Sequence, residues 1–129
     1  MCILDTEASP EHLSRGTARY ADGMLVVVEP YYKSLETGRR MAVLGLDLGL
    51  ERVGLVANKV RDERELEAVR EFAESNDIEV AGVVPFDDTM QLADRASLSP
   101  LDFDPEAPAV RAIAELAEMI VSNARAVKQ

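Results

Sequence analysis

The chain has 129 residues, and its 47% hydrophobic and 29% charged side chains indicate one folded domain that spans residues 1–129. A formal net charge of -10, from 24 acidic and 14 basic residues, argues against a partner that presents nucleic-acid phosphates. Apolar runs are far shorter than the ~20 residues that span a bilayer, and the single cysteine, Cys2, cannot form an internal disulfide. We therefore expect a cytoplasmic protein without a membrane span.

Four short apolar segments recur along the chain, each followed by a helical pattern, at residues 2–4, 24–28, 53–57 and 80–84. Uninterrupted apolar runs such as residues 25–28 are typical of strands covered on both faces, as in a parallel sheet with crossover helices. The sequence therefore predicts an α/β fold, a three-layer α/β/α domain with a mainly parallel sheet of about four strands.

Three longer helices are predicted between and after these strands. The first covers residues 35–48, with Ser34 as its N-cap and Gly49 at the left-handed position that ends it. The second begins at a capping box formed by Asp62 and Glu65, and its apolar stripe consists of Leu66, Val69, Phe72 and Ala73. The last follows a proline-rich segment, and its stripe consists of Val110, Ile113, Leu116, Ala117 and Ile120. We interpret both stripes as core.

Polar residues follow each predicted strand, where ligands bind in parallel α/β sheets. They occupy residues 5–8, 29–30, 58–60 and 85–87. Asp5 has two interpretations, because its carboxylate suits a magnesium ion in a nucleotide-hydrolysing site and equally suits a helix N-cap or a turn. The single histidine, His12, lies near Glu7 and Glu11, but one imidazole without a second soft ligand favours a surface or capping role over a metal site.

Asn58 and Lys59 follow the third predicted strand. A side-chain amide both donates and accepts hydrogen bonds, which suits it to the edge of a nucleobase. The guanine-specific pattern Asn-Lys-x-Asp is not met, because residue 61 is arginine and the acid comes one place later, at Asp62. Adenine is therefore the favoured base.

Five segments in this order resemble the C-terminal half of the MinD/ParA-type P-loop ATPases, in particular the CooC group, which are nickel-insertion ATPases that mature carbon monoxide dehydrogenase. The segments are DTEASPEHLSRGTA at 5–18, VVVEP at 26–30, KSLET at 33–37, NKV at 58–60 and VVPFD at 83–87. The resemblance extends over essentially the whole chain, and the ordered set is much more specific than any single segment.

The resemblance implies a role for each matching position in a family that uses ATP or ADP with magnesium. Asp5 matches the Walker B aspartate at the magnesium ion. The switch segment, which responds to the γ-phosphate, would include Thr6, Glu7, Ala8, Glu11 and His12. The base side of the site would be formed by Asn58, Lys59, Pro85, Phe86 and Asp87. Ser9 departs from the CooC-like pattern, which generally has glycine there and so a more adaptable switch backbone.

None of the seven glycines is followed by lysine, so the sequence contains no G-x-x-x-x-G-K-[ST] phosphate-binding loop. The Cys-x-Cys nickel ligands of the family are also missing, and we interpret Cys2 as an ordinary strand residue. We therefore expect the chain to correspond to the C-terminal half of such an ATPase. On this interpretation it has no assigned catalytic residue, binds nucleotide weakly and does not hydrolyse ATP alone.

Three functions remain open from the sequence. The first is that the chain is part of a maturation ATPase whose client is a metalloenzyme. The second is a noncatalytic interaction or regulatory domain, and the third is one half of a split ATPase. In the resembled family the phosphate-loop strand separates the Walker B strand from the strand at residues 24–28. We therefore expect either direct pairing of the first two strands or a homodimer formed through exposed sheet edges.

Overall fold

The computed structural model describes residue 3 and residues 22–128. Three parallel strands alternate with helices along this part of the chain. In order, the elements are β1 (Gly23–Val28), α1 (Tyr32–Asp47), β2 (Arg52–Val60), α2 (Glu63–Ser75), β3 (Glu79–Pro85), α3 (Asp88–Arg95), α4 (Pro100–Phe103) and α5 (Pro108–Lys128). None of the helices within residues 22–128 is both long and apolar enough to cross a bilayer.

The sheet has the order β1-β2-β3, and both strand pairs are parallel. Three of the four predicted strands are therefore confirmed, each extended by one to three residues at its ends. The predicted strand at residues 2–4 is represented in the structure by Ile3 alone, which is exposed and lies outside any strand. Cys2 and Leu4 lie outside the described residues, and so does any pairing of that segment with β1.

One face of the sheet packs against α1 and α2 to form the larger core. Alternate residues of β1 point into it, and Val28, Leu55 and Val69 are its largest fully buried side chains. Removing a side chain of this size from water stabilises the fold by about 1.5 to 3 kcal/mol. The alternation of β1 sends Leu25 and Val27 to the opposite face.

That opposite face carries a smaller core, built from Val56, Val84 and Ala109 with Leu116 packed against it. The close approach of α5 depends on Gly82, since a Cβ there would lie 3.0 Å from Leu116 Cδ1. The helices on the two faces confirm the three-layer α/β/α architecture.

The predicted stripe of α5 is correct only in part. Val110 is buried and Leu116 and Ile120 are half-buried, whereas Ile113 is 44% exposed and Ala117 is also exposed. The reason is that α5 packs mainly on β3, so that part of its apolar surface extends past the edge of the smaller core. Helical periodicity identifies an apolar side but does not give the width of the surface that covers it.

The helix boundaries confirm two predicted signals and correct a third. Gly49 has φ +91 after α1, the left-handed conformation that ends a helix. The Asp62 carboxylate accepts a hydrogen bond from Glu65 N–H at 2.8 Å and caps α2. The prediction that Ser34 caps α1 is wrong. Tyr31 occupies the N-cap position without a side-chain hydrogen bond, and the Ser34 hydroxyl, one turn inside, accepts from the backbone N–H of Glu29 at 2.8 Å.

Candidate functional site

The candidate site lies at the sheet edge where the carboxyl ends of the three parallel strands meet. Glu29 follows β1, Asn58 and Lys59 stand near the end of β2, and Phe86 follows β3. In open parallel sheets this edge is where ligands bind, because the loops beyond it converge. The structure thus brings the base-side residues that the sequence predicts, at the ends of β2 and β3, onto one edge.

A β-bulge shapes the end of β2. Ala57 is paired with Val83 and Val60 with Pro85, so β2 has one residue more than β3 between these two pairs. Lys59 lies in this bulge with φ 59, a left-handed conformation that a lysine rarely adopts. A bulge bends the strand and changes the direction of its side chains, and bulges are common beside binding sites.

An ion pair connects the bulge to the loop after β1. Lys59 Nζ lies 2.9 Å from Glu29 Oε1, and the Tyr31 hydroxyl donates to Glu29 Oε2 at 3.0 Å. Two hydrogen bonds, the larger effect from Lys59 and the smaller from Tyr31, hold the pKa of the Glu29 carboxyl below its usual value of 4.5. The same carboxylate raises the pKa of Tyr31. The three side chains therefore form one charge-assisted network.

The amide of Asn58 is oriented by the backbone of the bulge. Its Oδ1 accepts a hydrogen bond from Lys59 N–H at 3.0 Å. An amide nitrogen cannot accept this bond, so the partner itself fixes which end of the side chain is oxygen. The Nδ2 end keeps two donors, and no hydrogen bond joins it to another described residue. Asn58 is half-buried, so part of the residue is accessible to a ligand.

Phe86 and Arg61 form the other side of the candidate site. The backbone N–H of Phe86 donates to Val60 O at 2.9 Å, which extends the pairing of β2 and β3 beyond the sheet. The Arg61 guanidinium lies 4.7 Å from the centroid of the Phe86 ring, within cation–π range. Residue 61 is the position at which a guanine-specific site would have an aspartate.

Asp87 has a structural role that the sequence did not reveal. Its carboxylate accepts from Thr89 N–H at 3.0 Å and from Ala109 N–H at 3.1 Å, and so caps both α3 and α5. These backbone hydrogen bonds lower the pKa of Asp87 from its usual value of 3.8, and the bond from Ala109 has the largest effect. No local sequence pattern predicts the hydrogen bond between Asp87 and Ala109, because the two residues are 22 positions apart. A direct contact of Asp87 with a base stays a prediction.

The predicted magnesium and switch residues lie outside the described part of the chain; they are Asp5, Thr6, Glu7, Ala8, Glu11 and His12. Within residues 22–128 no three histidine, cysteine, aspartate or glutamate side chains come close enough to hold a metal ion. Beside the candidate site, an open groove of about 300 Å³ runs along β1 and α1, next to Tyr31, Lys33 and Thr37. Tyr31, whose hydroxyl binds Glu29, belongs to the candidate site but was not predicted from the sequence.

Known structures share this fold. The chain superposes on the MinD cell division protein of Aquifex aeolicus with a TM-score of 0.66 and 21% identity, over 81% of this chain and 46% of that one. A ParA family ATPase from Chlorobium tepidum TLS gives a TM-score of 0.68 with 19% identity, over 82% of this chain and 44% of the other. The fold is therefore that of the MinD/ParA-type P-loop ATPases.

Sequence relatives refine this class. The carbon monoxide dehydrogenase accessory protein CooC of Rhodospirillum rubrum is 36% identical over 105 residues, which are 81% of this chain and 39% of CooC. The ATP-binding protein MJ0823 of Methanocaldococcus jannaschii is 45% identical over 87 residues, 67% of this chain and 34% of that protein. No protein-family model matches the chain. The chain is a CooC-like member of the MinD/ParA-type ATPases, and it spans well under half the length of these two relatives.

Proposed function

We propose that the chain supplies the base-binding side of an ATP or ADP site in a CooC-like ATPase that serves nickel insertion into carbon monoxide dehydrogenase. One observation carries the proposal most directly. The bulge at the end of β2 presents the amide of Asn58 at the sheet edge where Phe86 follows β3. The homology to an accessory protein of carbon monoxide dehydrogenase supports the cellular role.

The chemistry of these side chains suits a purine. The Nδ2 group of Asn58 offers an N–H donor to a ring nitrogen of the base. Phe86 and Pro85 offer a partly exposed apolar surface for the flat face of the base. Stacking and a few directed hydrogen bonds are how adenine sites generally combine affinity with orientation. Arg61 in place of an aspartate removes the acceptor that the N1–H and N2–H₂ donors of guanine require.

Phosphate binding is proposed to be weak in the 129-residue chain. Its sequence has a net charge of -10 and no glycine followed by lysine, so a triphosphate finds no preorganised positive partner in it. We propose accordingly that this polypeptide does not hydrolyse ATP alone, and that Asp5 binds magnesium only where the phosphate loop of the family is supplied as well. We also propose that the protein is cytoplasmic and has a metalloenzyme client, and the similarity to CooC supports this proposal.

A second candidate function, one half of a two-chain ATPase or a homodimer, is favoured by the exposed surface of β1. Leu25 and Val27 are large apolar residues, yet they are 41% and 61% exposed on the sheet face opposite α1. A partner that covers this surface would bury apolar area next to the candidate site. Sedimentation of the purified chain distinguishes a self-associating protein from one that needs a different polypeptide.

The base-binding proposal is tested with adenosine, because a nucleoside has no phosphate and so does not need a phosphate-binding loop. We expect adenosine to bind the chain in the millimolar range, guanosine to bind more weakly, and the NMR shift changes to centre on Asn58 and Phe86. Asn58→Ala should weaken adenosine binding about fivefold, the worth of one ordinary hydrogen bond. Asn123→Ala, at an exposed position of α5, is the matched control and should leave binding unchanged. Equal adenosine binding by both variants contradicts the proposal.

A further inference from the structure

We propose that Lys59 is a positioning residue: through its ion pair with Glu29 it fixes the amide of Asn58 with the oxygen turned to the bulge and the Nδ2 donors turned to the base. The part of this inference that concerns the base rests on the proposed function above. The part that concerns the orientation of the amide rests on the structure alone.

The first step of the argument is the conformation of the bulge. Lys59 has φ 59, and a branched or long side chain in this region persists only where its surroundings hold it. Asparagine or glycine would adopt this conformation more readily. A lysine at this position therefore needs a compensating interaction, and its ammonium supplies one.

The second step is the anchoring of that ammonium. Glu29 is itself held at two points, by the Tyr31 hydroxyl on Oε2 and by its own backbone N–H, which donates to the Ser34 hydroxyl. Its remaining oxygen, Oε1, takes Lys59 Nζ at 2.9 Å. The ion pair thus joins a preorganised acceptor on the β1 loop to the bulge of β2. The lowered pKa of Glu29 agrees with a carboxylate that is held in its charged form.

The third step connects the bulge to the ligand. Within the bulge, the peptide plane between Asn58 and Lys59 places the backbone N–H of Lys59 3.0 Å from Oδ1 of Asn58. The left-handed conformation of Lys59 and its ion pair with Glu29 hold that peptide plane in place from its far side. With the oxygen engaged, the opposite end of the amide is a donor pair, and it recognises an acceptor such as a ring nitrogen. If the bulge loses this geometry, the peptide plane between Asn58 and Lys59 is released, and the Asn58 amide is then free to rotate and to present either end. The lysine acts on the base only through Asn58.

The test compares three variants by NMR on the full chain. Lys59→Met keeps the length of the side chain but removes its charge, Lys59→Arg keeps the charge, and Lys33→Met is the matched control on α1, where the lysine is exposed. Without nucleotide, we expect amide hydrogen exchange at position 59 to rise about two- to fivefold in Lys59→Met, as for the loss of an exposed ion pair. Lys59→Arg and Lys33→Met should retain the wild-type rate.

Salt supplies an independent measure, because packing of the aliphatic part of Lys59 alone would not respond to it. An exposed ion pair is screened, so about 1 M NaCl should raise exchange at position 59 in the wild type toward the Lys59→Met rate, which itself should not respond. Unchanged exchange and an unchanged Asn58 side-chain amide signal in Lys59→Met would overturn the proposal. Spectra of the remaining amides verify that each variant is folded.

The consequence for the base is measured separately with adenosine. We expect Lys59→Met to bind adenosine about two- to fivefold more weakly, and Lys59→Arg to restore the affinity. Wild-type affinity in Lys59→Met, despite a released amide, would overturn the action on the base. Failure of the wild type to bind adenosine contradicts the base site instead, and the exchange data then decide the positioning role by themselves.

Discussion

The carboxylate of Asp87, directly after β3, accepts a hydrogen bond from the backbone N–H of Ala109, in the first turn of α5. Its other oxygen accepts from Thr89 and caps α3, so a single side chain fixes the starts of two helices. Because α5 packs on β3 and forms the smaller core, this carboxylate connects the loop at the candidate site to the layer of the fold that lies beneath it.

Replacing Asp87 by alanine should lower the melting temperature by several degrees, because two helix N-terminal N–H groups lose their acceptor. The effect should depend on pH. The folded-state pKa of Asp87 lies below its usual value of 3.8, so the stabilisation is fully present above that value and is lost as the pH falls through the folded-state pKa. Thermal unfolding between about pH 7 and pH 2.5 measures it.

The control for this prediction is Glu118→Gln, at an exposed position of α5. Its melting curve should follow that of the wild type at every pH. A difference between Asp87→Ala and the wild type that persists unchanged at the lowest pH would show that the ionised carboxylate is not what stabilises the two helices.

A second prediction concerns the packing of α1 on β1. An alanine Cβ at Gly38 would collide with Cγ1 of Val28, which is buried and, as a β-branched side chain, has little rotamer freedom. Gly38→Ala should therefore reduce the free energy of unfolding by about 1 to 3 kcal/mol, measured in urea, despite the better helix propensity of alanine.

Gly45, two turns later on the same helix, is the matched comparison. A Cβ there would lie 2.5 Å from Cε of Met24, the end of a flexible chain that is able to move aside. Gly45→Ala should be close to neutral. Similar losses in the two variants would indicate that the contact between Gly38 and Val28 does not limit the approach of α1.

A third prediction concerns Arg61 and Phe86. The guanidinium over the ring should contribute about 0.5 to 1 kcal/mol at this exposed position, as a coupling energy in a double-mutant cycle of Arg61→Ala and Phe86→Leu. Arg70→Ala, at an exposed position of α2, should show no coupling with Phe86→Leu. Coupling of equal size in both cycles would mean that it arises from general changes in stability and not from contact between Arg61 and Phe86.

The local signals in the sequence predict most of the fold and the position of the candidate site. Continuous apolar runs identify β1, β2 and β3. The expectation that residues 25–28 are covered on both faces is wrong for β1, because Leu25 and Val27 are exposed on the face opposite α1, whereas the centre of β2 is buried on both faces. Asp62 is identified as a cap because its partner, Glu65, is only three residues away. The edge that carries Asn58 and Phe86 follows from the rule that parallel strands end together.

The features that the sequence did not predict depend on tertiary contacts or on a choice between nearby hydrogen-bond partners. Ser34 has the side chain of a cap, but its hydroxyl is taken by the backbone of Glu29, and the helix starts one turn earlier. The bulge at Lys59 arises from the register of β2 against β3, which no single segment contains. The bond of Asp87 to Ala109 likewise exists only once α5 has docked on the sheet.

The most direct measurement is the set of nuclear Overhauser contacts between bound adenosine and the isotope-labelled chain. The account predicts contacts from the adenine H2 and H8 protons to the ring of Phe86 and to the side-chain amide of Asn58. Contacts to Tyr31 and Thr37 in the neighbouring groove, with none to Asn58 and Phe86, would contradict a base site at the ends of β2 and β3.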